Sequence, residues 1–301
     1  MTFARPALKA LAERLGVAVG RTLRGRLRGR SLILAYHNVV PDDTPPVGDL
    51  PNHLPLSHFR RQLDTLTRLV DVVPLEDALA VRPGAPPRVA ITFDDAYVGA
   101  VTIGWPEVER RGLPATCFLN PGFIGGEAFW WDELAGPDGL PPAIRRHVLS
   151  ELAGDTEAAR VWAASADQAR RTDLPAVCTV VTETQLHRAA GAGLRIGSHT
   201  WGHLNLTVVD PDRVAARLVE ARRWIEARFS RAAFDGLAYP YGLWSPAVAD
   251  ATRAAGHRFG LAASGGWFDP ARVDPYALPR VSIPAGLSDA GFALRVLGLV
   301  G

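Results

Sequence analysis

Short apolar runs that alternate with stretches of helical period constrain this chain more than any other feature of it. Residues 31–36 (SLILAY), 88–93 (RVAITF), 115–119 (ATCFL), 194–197 (LRIG), 259–263 (FGLAA) and 278–283 (LPRVSI) read as buried strands. Residues 72–75 (VVPL) give another short strand, and 236–242 (GLAYPYG) a strand end with its turn. Between them lie helical patterns. Ser57 is placed to cap a helix carrying Phe59, Leu63, Leu66 and Leu69, and another helix ends near Gly112. Asp210 and Pro211 open a helix to residue 229 whose stripe is Val214, Leu218, Ala221 and Ile225, while Ser245 and Pro246 open the next. About seven strands alternating with helices predict a parallel sheet with helices outside, as a barrel or an open doubly wound sheet. Periodicity does not choose between the two. Residues 125–182 break the rhythm: an aromatic-acidic patch (Phe129, Trp130, Trp131, Asp132) and Trp162 sit in Ala/Arg-rich helical sequence, read as a helical insertion.

Length and composition fit one large globular domain. The 301 residues are 48% hydrophobic and 21% charged, which excludes disordered, collagenous and coiled-coil classes. Cys117 and Cys178 stand alone, outside any C-x-x-C pair, and read as small buried hydrophobes. No apolar run is long enough for a membrane span. The net charge of +2 conceals an asymmetry: residues 1–30 hold eight basic side chains and one acid, Glu13. Phe3, Leu8, Leu11, Leu15 and Val19 fall near helical spacing among them, predicting a basic amphipathic N-terminal helix before a barrel over 31–301. This segment lacks the apolar region and cleavage site of a secretory signal, so the expectation is a cytoplasmic protein, with peripheral contact to an anionic membrane through residues 1–30. Nucleic-acid binding has no support beyond these basic residues, and no nucleic-acid partner is expected.

Chemistry concentrates at two predicted strand ends. In residues 92–97 (TFDDAY) two adjacent carboxylates, Asp94 and Asp95, follow an apolar strand, where charge is costly unless a cation or a proton-transfer task uses it. In residues 197–203 (GSHTWGH), His199 and His203 follow another strand at a spacing that lets two imidazoles converge. Two neutral imidazoles and one carboxylate make a three-ligand divalent site with positions open for water and substrate. Zinc is the expected ion, although cobalt, nickel and iron accept the same donors.

From Leu32 to about Ile283 the chain resembles the polysaccharide deacetylases of carbohydrate esterase family 4, the NodB-homology group. The TFDDAY segment resembles the family's first motif, which implies Asp94 as general base and Asp95 as metal ligand; His199 and His203 match the histidines of the second. Residues 237–242 (LAYPYG) are similar to the third motif, which forms a groove wall and implies an oxyanion contact from the backbone N–H of Tyr241. Residues 35–37 (AYH) and the helix with Phe59, Gln62 and Leu63 look like the branch acting on N-acetylglucosamine polymers. The resemblance implies a distorted (β/α) barrel and a metal-dependent hydrolase that removes acetyl groups from an N-acetylated amino sugar or glycan by metal-activated water. Tyr97, Pro240, Trp131, His37 and Arg280 are the expected substrate-binding residues, and Trp130, Trp244 and Trp267 could stack on sugar rings.

Three positions depart from the family pattern. Ala96 stands where glycine is usual, and Ala238 where many members carry an arginine that orients the base. Arg280 occupies the place of a histidine that serves many members as general acid, and a guanidinium cannot deliver that proton at neutral pH. The proton donor to the leaving group therefore stays open, with His37 a candidate for the pocket and His257 read as structural. Two other readings follow from these departures: an amide hydrolase or deformylase on a small or lipid-linked sugar, and a glycan-binding relative with little turnover.

Overall fold

A computed structural model describes residues 25–300; the basic N-terminal helix expected over 1–30 lies almost wholly outside the described residues. Among the described residues there are ten strands: β1 (Ser31–Tyr36), β2 (Asn38–Val40), β3 (His53–Pro55), β4 (Asp71–Val72), β5 (Arg88–Phe93), β6 (Thr116–Leu119), β7 (Arg195–Ser198), β8 (Ala233–Ala238), β9 (Phe259–Leu261) and β10 (Val281–Ser282). The main sheet runs β10-β1-β5-β6-β7-β8-β9, parallel throughout, with helices between the strands. The distortion of this barrel is visible at β5. Its first residues pair with β4 (Asp71↔Arg88) and its last with β6 (Thr92↔Thr116), so one strand has different neighbours at its two ends.

The segment leading into β10 closes the barrel. Leu278 bridges to Leu261 at the end of β9, with Leu278 N–H donating to Gly260 O (2.9 Å) and Ala262 N–H to Leu278 O (2.8 Å). Three residues later Val281 pairs with Leu34 of β1. A stretch of five residues thus bridges β9 to β1, satisfying backbone groups that an open edge would leave unpaired.

Every residue of β1 and β5 is buried, as their continuous apolar runs require in a sheet covered on both faces. Helix Leu56–Leu69 packs Phe59, Leu63 and Leu66 inward, where Phe59 meets Tyr36 edge-on at 5.2 Å and Phe93 at 5.9 Å. Removing a ring buried to this extent costs about 3–5 kcal/mol, so Phe59→Ala would damage the fold directly. Helix Pro211–Phe229 buries Val214, Leu218, Ala221, Ile225 and Phe229, and the Asp210 side chain accepts from the N–H groups of Asp212 and Arg213. The Ser245 cap likewise accepts from Val248 N–H. The Ser57 cap does not form: the helix begins at Leu56 after Pro55, and Asp42 accepts the Ser57 N–H at 2.9 Å. Residues 72–75 divide between β4 and a helix, Leu75–Leu79.

Residues 125–182 hold three α-helices, Trp130–Glu133, Pro142–Glu151 and Thr156–Ser165, and a 3-10 turn, Ala176–Cys178, inserted between β6 and β7. The insertion is tied down on two sides: Asn205 Nδ2 donates to Leu149 O (3.1 Å), and Asp49 N–H donates to Asp132 Oδ1 (2.8 Å). Cys117 and Cys178 are both free and fully buried. Among the described residues no helix is long and apolar enough to cross a membrane.

Candidate metal and catalytic site

The carboxyl ends of β1, β5, β7 and β8 open into one cavity of about 270 Å³ that brings His37, Asp94, Asp95, His199, His203 and Tyr241 together. Trp131 from the insertion and Ser282 from β10 complete this part of its lining. Backbone conformation marks the same loops. Among described residues other than glycine, seven have positive φ, and five of them are Asp95, Ala96, Thr200, His203 and Tyr241. Side chains rarely adopt that region without compensation, so its concentration here shows loops held in shape by their surroundings. At Ala96, φ of 52° explains why glycine is the easier residue there.

Asp95 Oδ1 lies 3.2 Å from His203 Nε2 and 3.6 Å from His199 Nε2, and the two imidazole nitrogens are 3.1 Å apart. Four-coordinate zinc with bonds near 2.0–2.1 Å requires donor atoms about 3.3 Å from one another, which is the scale of this triangle. Two further observations fit a cation. Asp95 Oδ1 is buried without a hydrogen-bond donor, and His199 Nδ1 lies 2.7 Å from Ala238 O, which fixes its proton there and leaves the Nε2 lone pair facing the other donors. Burial holds both rings neutral, His199 down to about 4 and His203 to about 3, so neither needs to lose a proton at pH 7 before ligating. Burial raises Asp95 to about 6, partly opposed by His199 and His37. A buried carboxylate of that kind gains from a cation. Asn120 holds the loop by donating its side-chain amide to the His199 carbonyl, and Thr200 Oγ1 accepts the His203 N–H at 3.1 Å.

Asp94 is set apart from this triad by Arg280. The guanidinium grips the carboxylate with both arms, Nη1 to Oδ1 at 2.7 Å and Nη2 to Oδ2 at 2.8 Å, and donates from Nε to Ala262 O at 2.9 Å. Burial alone would raise the Asp94 pKa, but Arg280 and then His199 outweigh it and hold the carboxyl well below the usual range. Arg280 is 1% exposed and does not line the cavity, so the expectation that it binds substrate is corrected. It supplies from the barrel-closing segment a contact to Asp94 that Ala238 cannot make from β8.

Two further expectations change. Tyr97 is fully buried and its hydroxyl is engaged twice, donating to Asp132 Oδ2 (2.6 Å) and accepting from Trp131 Nε1 (2.8 Å). It positions Trp131, whose ring sits 4.7 Å from that of His203, instead of facing the cavity. Pro240 is buried inside the turn and is absent from the cavity wall. Tyr241 does line it: φ of 59° turns the residue, while Gly242 and Leu243 N–H groups bond to Tyr239 and Pro240 carbonyls, leaving the Tyr241 amide outside those bonds. Its ring packs edge-on to His203 at 4.4 Å, and its hydroxyl accepts from Trp130 Nε1 (3.1 Å) and donates to Gly154 O (3.3 Å). Among the other tryptophans, Trp130 is fully buried, Trp267 donates to Arg295 O (3.2 Å), and Trp244 is partly exposed against Tyr239. His257 is buried, outside this cavity.

Sequence reasoning missed the polar wall of the cavity, made by Asp49, Asn52 and Arg145. It also missed the support behind Trp131, where His53 Nε2 lies 3.0 Å from Asp132 Oδ1. The acid at position 132 was visible beside its aromatic neighbours; its partners, from a loop eighty residues earlier by rough count, carried no local signal.

Comparison with known proteins identifies the family and the fold. The family model described as polysaccharide deacetylase matches residues 82–260. YxkH of Bacillus subtilis strain 168, whose name places it among polysaccharide deacetylases, is 23% identical over 271 residues, 88% of this chain and 75% of its own. The Streptococcus pyogenes deacetylase PplD, solved with acetate, superposes with a TM-score of 0.61 at 15% identity, covering 89% of this chain and 98% of PplD. IcaB from Ammonifex degensii gives 0.60 at 18% identity, covering 89% and 97%. The chain belongs to the polysaccharide deacetylase family, hydrolases of the C–N bond in acetylated sugars, built here on a distorted parallel barrel.

Proposed function

We propose that this protein is a metal-dependent deacetylase that removes acetyl groups from an N-acetylated amino sugar or glycan. The observation carrying this reading is the separation of Asp94 from Asp95: one carboxylate is committed to Arg280, the other shares a donor triangle with two neutral imidazoles. Asp95, His199 and His203 would hold a divalent ion, zinc by the nature of the donors, and an ion held there supplies a Lewis acid that acidifies water and polarises the acyl carbonyl.

The chain's own residues then divide the proton traffic. Asp94, kept ionised by Arg280, accepts a proton from the attacking water. The N–H of Tyr241, a residue of the cavity wall whose amide takes no part in the hydrogen bonds of its own turn, stabilises the oxyanion of the tetrahedral adduct; a donor of this kind typically contributes about 10²–10³ in rate. Collapse of the adduct expels an amine, which needs a proton. Among the titratable groups lining the cavity, Asp49 is paired with Arg145, the Tyr241 hydroxyl is turned to Gly154, and arginine stays protonated. His37 is left as the proton donor, at the end of β1 on the same wall as Ser282.

Acetate release from N-acetylglucosamine oligosaccharides by zinc-loaded protein, read beside metal content, tests the assignment. Asp94→Asn should abolish release and keep the metal, whereas His199→Ala should lose both. Tight glycan binding by wild-type protein with no acetate released would replace the enzyme by a binding module.

A further inference from the structure

Behind the catalytic groups the cavity has a second polar cluster that the reaction does not use. Asp49, on the loop between β2 and β3, is 4% exposed and is fixed at its backbone by Asp132. Its Oδ2 accepts from Arg145 Nη2 (2.5 Å) and Asn52 Nδ2 (3.4 Å). Among the described residues nothing bonds its Oδ1, nor Nε and Nη1 of Arg145, whose side chain is 39% exposed. All three residues line the cavity that holds the metal triad. Arg145 comes from the inserted helix Pro142–Glu151, so the insertion contributes directly to the site.

We infer that Asp49 and Arg145 form the specificity pair of the site, recognising hydroxyl groups on the ring that carries the acetamido group. This rests on the deacetylase reading. The chemistry of the wall leads there. A hydroxyl both donates and accepts, and the cluster offers an acceptor at Asp49 Oδ1 beside donors at Arg145. The guanidinium is already neutralised by a carboxylate, so an anionic substituent at this edge would meet Asp49 at close range. An uncharged ring is therefore preferred. The rest of the lining fits such a ligand, since Trp131, Leu149 and Leu243 offer apolar surface to a sugar face. A volume of about 270 Å³ lies just below the range of drug-sized pockets, roughly 300 Å³ upward, and suits one ring at the reacting position.

The test compares Arg145→Gln with wild type on N-acetylglucosamine oligosaccharides, their deoxy analogues at each free ring hydroxyl, and N-acetylmuramic acid, whose lactyl group carries a carboxylate. Wild type should lose roughly 10–100-fold in kcat/KM on one deoxy analogue, mostly through KM, because a site built to bond a hydroxyl is left with unpaired polar groups. It should also disfavour the acidic sugar. Arg145→Gln should lose about tenfold on the hydroxylated sugar and nothing more on that analogue, with zinc content unchanged. An arginine that merely latches the insertion to the β2–β3 loop would lower all substrates by one factor, and that result overturns the inference while leaving the deacetylase reading intact. Unchanged kinetics in Arg145→Gln would do the same. No acetate release by wild type from any sugar removes both.

Discussion

Arg280→Met would expose how much of the site depends on a single ion pair. Arg280 and Asp94 side chains are 1% and 5% exposed, with both hydrogen bonds under 3 Å, so removing the cation strands a carboxylate in the barrel interior. Breaking a buried pair from one side costs about 3–5 kcal/mol. At roughly 2–4 °C per kcal/mol for a domain of this class, the melting temperature should fall by about 6–20 °C. The loss has a distinctive pH dependence. In wild type the Asp94 pKa is depressed, so its stabilisation is present above the unfolded value near 3.9 and disappears only as pH falls through the lower folded value. In Arg280→Met burial acts with far less opposition and the carboxyl titrates higher. The folded state then holds a proton that the unfolded state has lost, so stability declines as pH rises from about 4 to 7. Thermal melts across that range, with Asp94→Leu/Arg280→Met as the paired control, decide the matter. The double variant should recover most of the stability, because it removes the stranded charge. A single variant that melts within 2 °C of wild type by rough criterion, or a double variant no more stable than the single, would refute the argument.

Other expectations are accessible to the same preparations. His37→Gln should lower kcat on amide substrates by about 10²-fold or more while sparing zinc binding, and should leave 4-nitrophenyl acetate, whose leaving group needs no proton, nearly unaffected; equal losses on both would assign His37 another role. Gly48→Ala should destabilise by about 2–4 kcal/mol in urea unfolding, since its φ is +69° and an added Cβ would stand 2.3 Å from Asp132 Oδ1. Although burial acts to lower the His53 pKa, Asp132 draws it up to about 10. That contribution is whole below the unfolded value of about 6.5 and is lost as pH rises through the folded one, so the urea midpoint should decline above neutrality and His53→Gln should flatten the decline.

What was legible in the sequence were groups declared by local pattern. Asp94 and Asp95 follow an apolar strand, His199 and His203 are four residues apart, and each pair reaches the cavity from one short loop. The alternation of strands and helices likewise declared a parallel sheet, because burial on both faces forces continuous apolar runs. Contacts between distant stretches were not legible. Arg280 meets Asp94 across 186 positions, and its local setting showed only that it could not donate a proton. Tyr97 sat beside Asp94 and Asp95 and read as a site residue, yet the left-handed turn at Asp95 and Ala96 sends it into the interior toward Asp132. The three-residue pairing of β2 with β3 was too short to carry period, although it positions the loop from which Asp49 arises. Arg145 was hidden among other arginines of the insertion, where only its partner distinguishes it.

The segment from Leu278 to Ser282 completes the barrel and also carries the guanidinium that grips Asp94. Assembly and competence are therefore coupled in a definite order. Until this last stretch docks, Asp94 lacks its counterion and the wall at Ser282 is missing, so a partly folded chain that has gathered Asp95, His199 and His203 still has an incomplete cavity. Damage to that closure, even from the outer surface of the barrel, should silence the enzyme before it unfolds.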